Sequence, residues 1–532
     1  MKRFAKTFLT LLLLLSLFWS YSLVARAEEE RVLRMDYSGN MSFPSMYTSK
    51  SNGPGFVSVT FCFDTLVWKD DKGEVNLLCE DYELSDDGLV YTIHLRDGVK
   101  FHDGEPFTAE DVKFTFDYSK EHPYQWISTD MVKEVRVVDD LTVEIELKDV
   151  YVPFMDAVGG NLHMLPKHIF EKVEDPYTFD DPEAAIGTGP FILEDFDPVA
   201  GSFVFVKNPD YYLGEVQIDK LILAPVDDAR SALLAGEIDA TSKMKYKAAQ
   251  AIKDEENISY LEGQSIQIRR MGFNFDLEAL AQKDIRQAIS YALDREAIVE
   301  KAAQGAGIVG TAGFVHPNSP WYNPDVAVYD YNPEKAKELL AEAGCVDSDA
   351  DGILEFDGEK MSFEFTFSED DAMMAEMISG YLKDIGIELV PKALDDGSVK
   401  GAFSEGNFEL ILLGHGTFGG DPKYMACLAT DTAGAIKVSI QGGTKWQNDR
   451  FDELFAESLK EIDKDKRLEQ IYQCQEIVAE ELPTLAVFFP LAAAAYNNSV
   501  FTGFYFTVDG IGAGCPFICN KLAFISGEWV KD

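Results

Sequence analysis

Several groups of residues in this chain have types and spacings that could do chemistry, and each implies a different kind. Asp347-Ser-Asp349-Ala-Asp351-Gly352 sets carboxylates at alternate positions ahead of a glycine, the way a loop presents oxygens to calcium. Gly358 stands where such a loop needs a bidentate glutamate. The run therefore reads as an acidic turn between a helix and a strand, with a calcium loop built on Asp347, Asp349 and Asp351 as the alternative. His415-Gly-Thr-Phe418-Gly-Gly-Asp421-Pro422 joins an imidazole, an aromatic ring and a carboxylate in one glycine-rich loop after an apolar strand, Phe408 to Leu412. That set suits holding a solute. His415 could also ligate a metal chelate, or be a hydrogen-bonded loop histidine. Trp321 and Trp446 add flat apolar faces that suit peptide side chains and sugar rings alike, or ordinary packing.

Other sets fail on their own spacing. His163 and His168 are not spaced as a helical zinc pair, and His102-Asp103 lies in turn sequence. Ile186-Gly-Thr-Gly-Pro-Phe191 lacks the Lys-Ser/Thr of a phosphate-cradling loop and runs on into strand sequence. Seven cysteines include no C-x-x-C pair, which argues against a thiolate metal site. Cys515 and Cys519 are the natural local disulfide, and the odd count leaves at least one thiol unpaired without an intermolecular bond. There is no G-x-S-x-G, H-E-x-x-H or G-x-x-x-x-G-K-[ST]. With 92 acidic residues, carboxylate pairs can be imagined anywhere, so they decide nothing about glycoside hydrolysis. No catalytic residue and no cofactor are expected.

The elements that must position these residues are legible from periodicity. Leu89, Tyr91, Ile93 and Leu95 alternate with Val90, Thr92 and His94, the period of a half-buried strand. Asp103-Gly104 turns the chain, and Thr108-Ala-Glu-Asp111 begins a capped helix with Val112 and Phe116 on its buried stripe. Helices follow over Asp284–Leu293, from Asp294, from Asn332-Pro333 to Gly344, over Met373–Ile385, Phe451–Ile462 and Lys466–Glu481. Strands are read at Met361–Phe367, Phe408–Leu412 and Thr484–Phe489. Mixed strands and helices place the chain in the α/β class.

The 532 residues exceed one core, and the 46% hydrophobic content can fill two or three. A net charge of −45 repels nucleic acid and anionic membrane. Residues 1–27 read as a cleavable export signal: Lys2, Arg3 and Lys6, then an apolar run from Phe8 to Phe18, then Ala25-Arg-Ala27. No cysteine precedes Cys62, so a lipid-attachment cysteine is absent. Neither repeats nor low-complexity linkers occur, so the domains must interleave along the chain.

The order of residues in Ser85–Tyr118 closely resembles the signature of the peptide/nickel family of extracytoplasmic solute-binding proteins, the capture subunits of ABC importers. Phe63-Asp-Thr-Leu-Val-Trp68, Ile186-Gly-Thr-Gly-Pro-Phe191, Lys207-Asn-Pro-Asp-Tyr-Tyr212, Leu233–Asp239 and Ile285–Val299 continue the resemblance. It implies a two-lobed periplasmic-binding-protein fold of the class II, cluster C type, with an extra domain and lobes joined by a hinge. The implied division is 28–61 with 186–267 and 493–532 as domain I, 62–185 as domain II, and 268–492 as domain III. A periplasmic monomer is expected, taking an oligopeptide-like solute and delivering it to a membrane permease, without nucleic acid. An oligosaccharide is the runner-up solute and a nickel or other metal chelate the third. A secreted hydrolase is the alternative from another class.

In the family's peptide binders, an aspartate in the loop after the buried strand pairs with the peptide's amino terminus. The matching position here is Phe418, and Asp421 matches a neighbouring structural aspartate. An apolar ring cannot neutralise an ammonium, so the resemblance implies His415, Phe418, Asp421, Trp321 and Trp446 as candidate contacts without the usual acid.

Overall fold

The computed structural model describes residues 29–37, 42–49, 54–124, 127–241, 244–265, 267–416, 420–429, 445–507 and 517–531. The expected export signal, Phe418 and Cys515 lie outside the described residues, and His415 is described by its backbone alone.

β1 (Val32–Asp36) opens the chain, and α1 (Pro54–Cys62) leads into Phe63–Trp68. β2 (Cys79–Leu84) pairs antiparallel with β3 (Val90–Leu95). Tyr91, Ile93 and Leu95 of β3 are buried while Val90, Thr92 and His94 are half-buried, as the period of two requires. α2 (Ala109–Glu121) begins where the Asp111 carboxylate accepts from the Thr108 backbone N–H at 2.9 Å and its hydroxyl at 3.1 Å. β4 (Val132–Asp139) and β5 (Thr142–Leu147) complete a four-stranded antiparallel sheet in the order β2-β3-β5-β4.

The chain then returns to β1. β6 (Phe191–Asp197), β7 (Ser202–Lys207), β8 (Lys220–Ala224), β9 (Ala240–Thr241) and β10 (Ile258–Gln264) precede β11 (Ile268–Phe273). Next come α3 (Lys283–Ala292), β12 (Gly307–Val309), α4 (Pro333–Glu342), β13 (Ser362–Ser368) and α5 (Ala372–Lys383). β14 (Glu388–Leu394), α6 (Asp396–Glu405), β15 (Leu410–His415), α7 (Asp449–Ser458), α8 (Lys464–Glu481) and β16 (Thr484–Asn497) follow. α4 starts as its sequence predicts, with the Asn332 side chain accepting from the Lys335 amide at 3.0 Å and Pro333 at the first helical position.

Most of these strands share one sheet, ordered β14-β13-β15-β11-β16-β9-β1-β8-β7-β6, with β10 and β12 also on β16. The expected strand from Thr484 stops too soon at Phe489; the observed one runs to Asn497. Proline carries no N–H, so Pro490 reads from sequence as an end. Its carbonyl still accepts from the Ser265 amide at 3.0 Å, and β16 changes partners there. Thr484–Phe488 pair with β11, while Leu491–Asn497 pair with β10. One strand thereby pairs with β11 in its first half and with β10 in its second. Among the described residues no helix is long and apolar enough to cross a membrane.

One hydrophobic cluster packs β11, β13 and β15 under α3, α4 and α5. A larger one runs from the four-stranded sheet through β1, β7 and β8 to Phe314, Tyr424–Ala429, α7, α8 and Phe489. That cluster forms a continuous apolar seam between the four-stranded sheet and helices α7 and α8.

Candidate functional site

Four of the six sequence blocks that carry the family resemblance, those around Asp64, His102, Thr188 and Tyr212, converge on one buried polar knot where the four-stranded sheet joins β6. Asp64 and Lys521, both fully buried, form an ion pair. Tyr212 donates to Asp64 at 3.0 Å, Thr188 at 3.3 Å and Tyr211 at 3.4 Å. The Lys521 ammonium also donates to the Phe63 carbonyl at 2.9 Å and sits 4.7 Å from the Trp68 ring centroid. His102 Nε2 donates to the Gly189 carbonyl at 3.0 Å, and its Nδ1 accepts from the Gly187 amide at 3.3 Å. That pattern fixes the neutral tautomer, and burial holds the imidazole below its ordinary pKa. Gly187 and Gly189 are dictated by close approach: a Cβ would lie 2.1 Å from the Cys62 carbonyl oxygen at the first and 2.5 Å from that of Phe61 at the second. Each of these polar groups is met by another part of the chain, so the knot ties together segments distant in sequence and, among the described residues, leaves none of them over for a solute.

The seam beside β16 is different. β11 brings Arg269 and Arg270 to it on opposite faces of the strand. The Arg269 guanidinium lies where a Cβ on Gly414 would be, 2.0 Å from its Nη1, and pairs loosely with Asp371 at 3.8 Å. Arg270 is 1% exposed, with Nη1 donating to Thr484 Oγ1 at 3.3 Å and its Cζ 4.9 Å from the Phe403 ring and 5.6 Å from that of Phe314. His316 lies two residues beyond Phe314, its ring 4.8 Å from that of Phe489. Its Nδ1 accepts from the Asn318 amide at 3.1 Å, and burial pushes its pKa down to about 4.

Ion pairs also bridge the two sides of this seam. Asp156, beside the four-stranded sheet, takes Lys69 at 2.8 Å and Lys423 from the turn that follows β15. Lys460 pairs with Asp149, and the Val152 amide donates to the Leu459 carbonyl at 2.8 Å.

The residues proposed from sequence take up varied places. Asp421 receives both end nitrogens of Arg467, at 2.6 and 2.9 Å, and caps the turn Pro422–Cys427 through the Lys423 amide at 3.0 Å. Arg467 donates in addition to the Ser458 carbonyl at 2.8 Å and lies 4.8 Å from the Trp321 ring centroid. Trp321 and Asp421 are therefore brought together, with Arg467 between them. Trp446 is buried against Phe451 at 5.2 Å. His415 ends β15 opposite Ile268, next to the two arginines in register. In the acidic turn, Asp347 and Asp349 draw together with Glu355, and Asp351 turns to Lys360, whose ammonium also lies 3.0 Å from Asp349. Lys360 thus offsets part of the negative charge of that turn. Periodicity reading passed over Arg269-Arg270, although two cations interrupting an apolar strand are a signal in themselves. Lys521 and Arg467 carried no local signal, since their partners lie 457 and 46 residues away.

Of the expected thiols, Cys62, Cys79, Cys345, Cys427 and Cys474 are buried and unbridged, and burial pushes that of Cys345 up to about 11. The Cys515–Cys519 pairing falls outside the described residues.

Residues 74–436 match the family described as bacterial extracellular solute-binding proteins, family 5 Middle. The chain is 29% identical to heme-binding protein A of Haemophilus influenzae, over 77% of this chain and 78% of that protein. It is 30% identical to the oligopeptide-binding protein AppA of Bacillus subtilis, over 84% of each. Among solved structures, NikZ of Campylobacter jejuni, in complex with Ni(L-His), superposes with a TM-score of 0.73 at 25% identity, covering 91% of this chain and 98% of that one.

Proposed function

The chain belongs to the bacterial extracellular solute-binding proteins of family 5, and on that premise we propose that it captures an oligopeptide-like solute between its lobes and hands it to the permease of an ABC importer. The observation that carries this reading is β16, a single strand shared by both lobes with its partner change at Pro490. Such a strand lets the lobes rotate about the seam while ligand contacts to both favour the closed state. The division into domain I (28–61, 186–267, 493–532), domain II (62–185) and domain III (268–492) follows the same reading. Export by the segment 1–27, a monomeric state and binding without turnover complete it.

Within that reading, the solute is one whose amino terminus needs no acid from the loop after β15. Phe418 is apolar, and both oxygens of Asp421 already serve Arg467. Thermal shift with matched free and N-acetylated peptides tests this. Acetylated peptides are expected to stabilise the protein at least as well, by about 2.7 kcal/mol at a hundredfold excess over Kd. Tight binding of free peptides that acetylation abolishes would refute it. Solution scattering should show compaction on saturation, and an unchanged radius of gyration would count against lobe closure.

A further inference from the structure

Arg270 differs from the other buried arginines in what its nitrogens touch. Arg467 gives all three nitrogens to Asp421 and Ser458. Arg286 gives its three to the carbonyls of Glu481, Leu482 and Leu280, and Arg295 reaches those of Tyr329 and Gly310. Among the described residues Arg270 spends only Nη1, on Thr484, while Nε and Nη2 meet no hydrogen-bond partner. Those two nitrogens share one edge of the planar guanidinium, the edge that donates two parallel bonds to both oxygens of a carboxylate. No carboxylate pairs with Arg270 among the described residues.

The surroundings keep that edge dry. The period of β11 puts Arg270 on the face away from Met271 and Phe273, beside Leu413 of β15 and Ala486 of β16 in register. Phe403 of α6 and Phe314 of the loop before His316 bracket the guanidinium. That same loop brings a second unsatisfied donor, His316 Nε2, which carries the proton because Nδ1 accepts. Ala486 and Phe314 both belong to the cluster that crosses the seam. A buried cation without a counter-ion is costly unless something arrives to meet it.

We infer that Arg270 is the receptor for a carboxylate of the captured solute, an inference that rests on the solute lying between the lobes. When the lobes part, the open edge becomes reachable through the seam. When they close, the carboxylate completes the pair in a low-dielectric site, where a charge-assisted bidentate contact is strongest. The solute class is thereby narrowed to molecules bearing a planar carboxylate, such as a peptide's carboxyl terminus.

The test is titration calorimetry and thermal shift on the purified chain. The probes are N-acetylated tri- to pentapeptides, each as free acid and as carboxyl-terminal amide, with glutarate and the Ni(L-histidine) chelate as non-peptide carboxylates and maltotriose as an uncharged control. A free acid should bind about tenfold or more tightly than its amide, and Arg270→Met should erase that preference. The same variant should keep or raise the ligand-free Tm, because it removes an unpartnered charge that a structural arginine would not have. Arg270→Lys, a point charge without the fork, should recover only part of the preference. Equal binding of acids and amides, a preference that survives Arg270→Met, or a lowered ligand-free Tm in that variant would each overturn the Arg270 inference while leaving peptide capture standing. Arg270-dependent binding of glutarate or the chelate alone would uphold the inference and overturn the peptide reading. If no carboxylate shifts the wild type, both fall.

Discussion

Lys521 in the knot meets a carboxylate, a carbonyl and an indole face, whereas Arg270 at the seam presents one edge of its guanidinium to no hydrogen-bond partner among the described residues. Both side chains are buried, and both carry a charge that water would otherwise solvate. In the knot the chain itself stands in for that water, so the charge holds segments together. At the seam it does not, and the charge is kept in reserve for a partner from outside. Counting the partners of buried ions is thus a way to separate a joint from a receptor.

The comparison can be broken most forcefully at the joint. Asp64→Ala would leave Lys521 uncompensated in the core and should cost about 3–5 kcal/mol in urea unfolding. A loss under about 1 kcal/mol would show that the knot carries little of the fold. Asp421→Ala strands Arg467 in the same way, although the Ser458 carbonyl and the Trp321 ring remain. About 3 kcal/mol of stability should go, with peptide affinity little changed among folded molecules. The reverse pattern, lost affinity at unchanged stability, would make Asp421 the acid that holds the amine.

Gly187→Ala probes the knot without touching charge. Its methyl would overlap the Cys62 carbonyl, so a loss of about 1–3 kcal/mol is expected from chemical denaturation.

Acid sensitivity sharpens the contrast more gently. Burial pushes the His163 imidazole, beside the knot, down to about 3 and that of His316, at the seam, down to about 4. Both are neutral in the fold and take a proton near pH 6.5 when unfolded. The stability they contribute is therefore whole above pH 6.5 and lost as pH falls from there towards the folded values. Replacing either by Phe should flatten the fall of unfolding free energy between pH 6.5 and about 4, each by up to about 3 kcal/mol. Unchanged slopes would show that these rings titrate alike folded and unfolded.

Much of this was legible in the sequence because it is local. The alternation of Leu89 to Leu95, the Thr108–Asp111 helix start and the Asn332-Pro333 cap each depend on residues within a few positions, and each took the form its spacing requires. The order of the blocks around Phe63, His102 and Gly187 likewise disclosed the family, because a joint with no free donors tolerates few other residues. The candidate site was less legible. Nothing near Asp421 says that Arg467 will occupy it, and nothing near Asp351 says that Lys360 will draw it away while Glu355 takes its place.

A strand's period fixes which residues share a face, and to that extent the sequence alone already set Arg270 opposite Met271. Whether that face meets water, a carboxylate or two phenylalanine rings depends on elements distant in sequence, since Phe314, Phe403 and Thr484 reach Arg270 only in the assembled fold. The same holds for Pro490, which breaks a strand by its own chemistry yet lies inside one because β10 and β12 supply the partners around it. Local chemistry chose the elements, and only their assembly decided which charges would be left without a partner, because desolvation is a property of the packed whole.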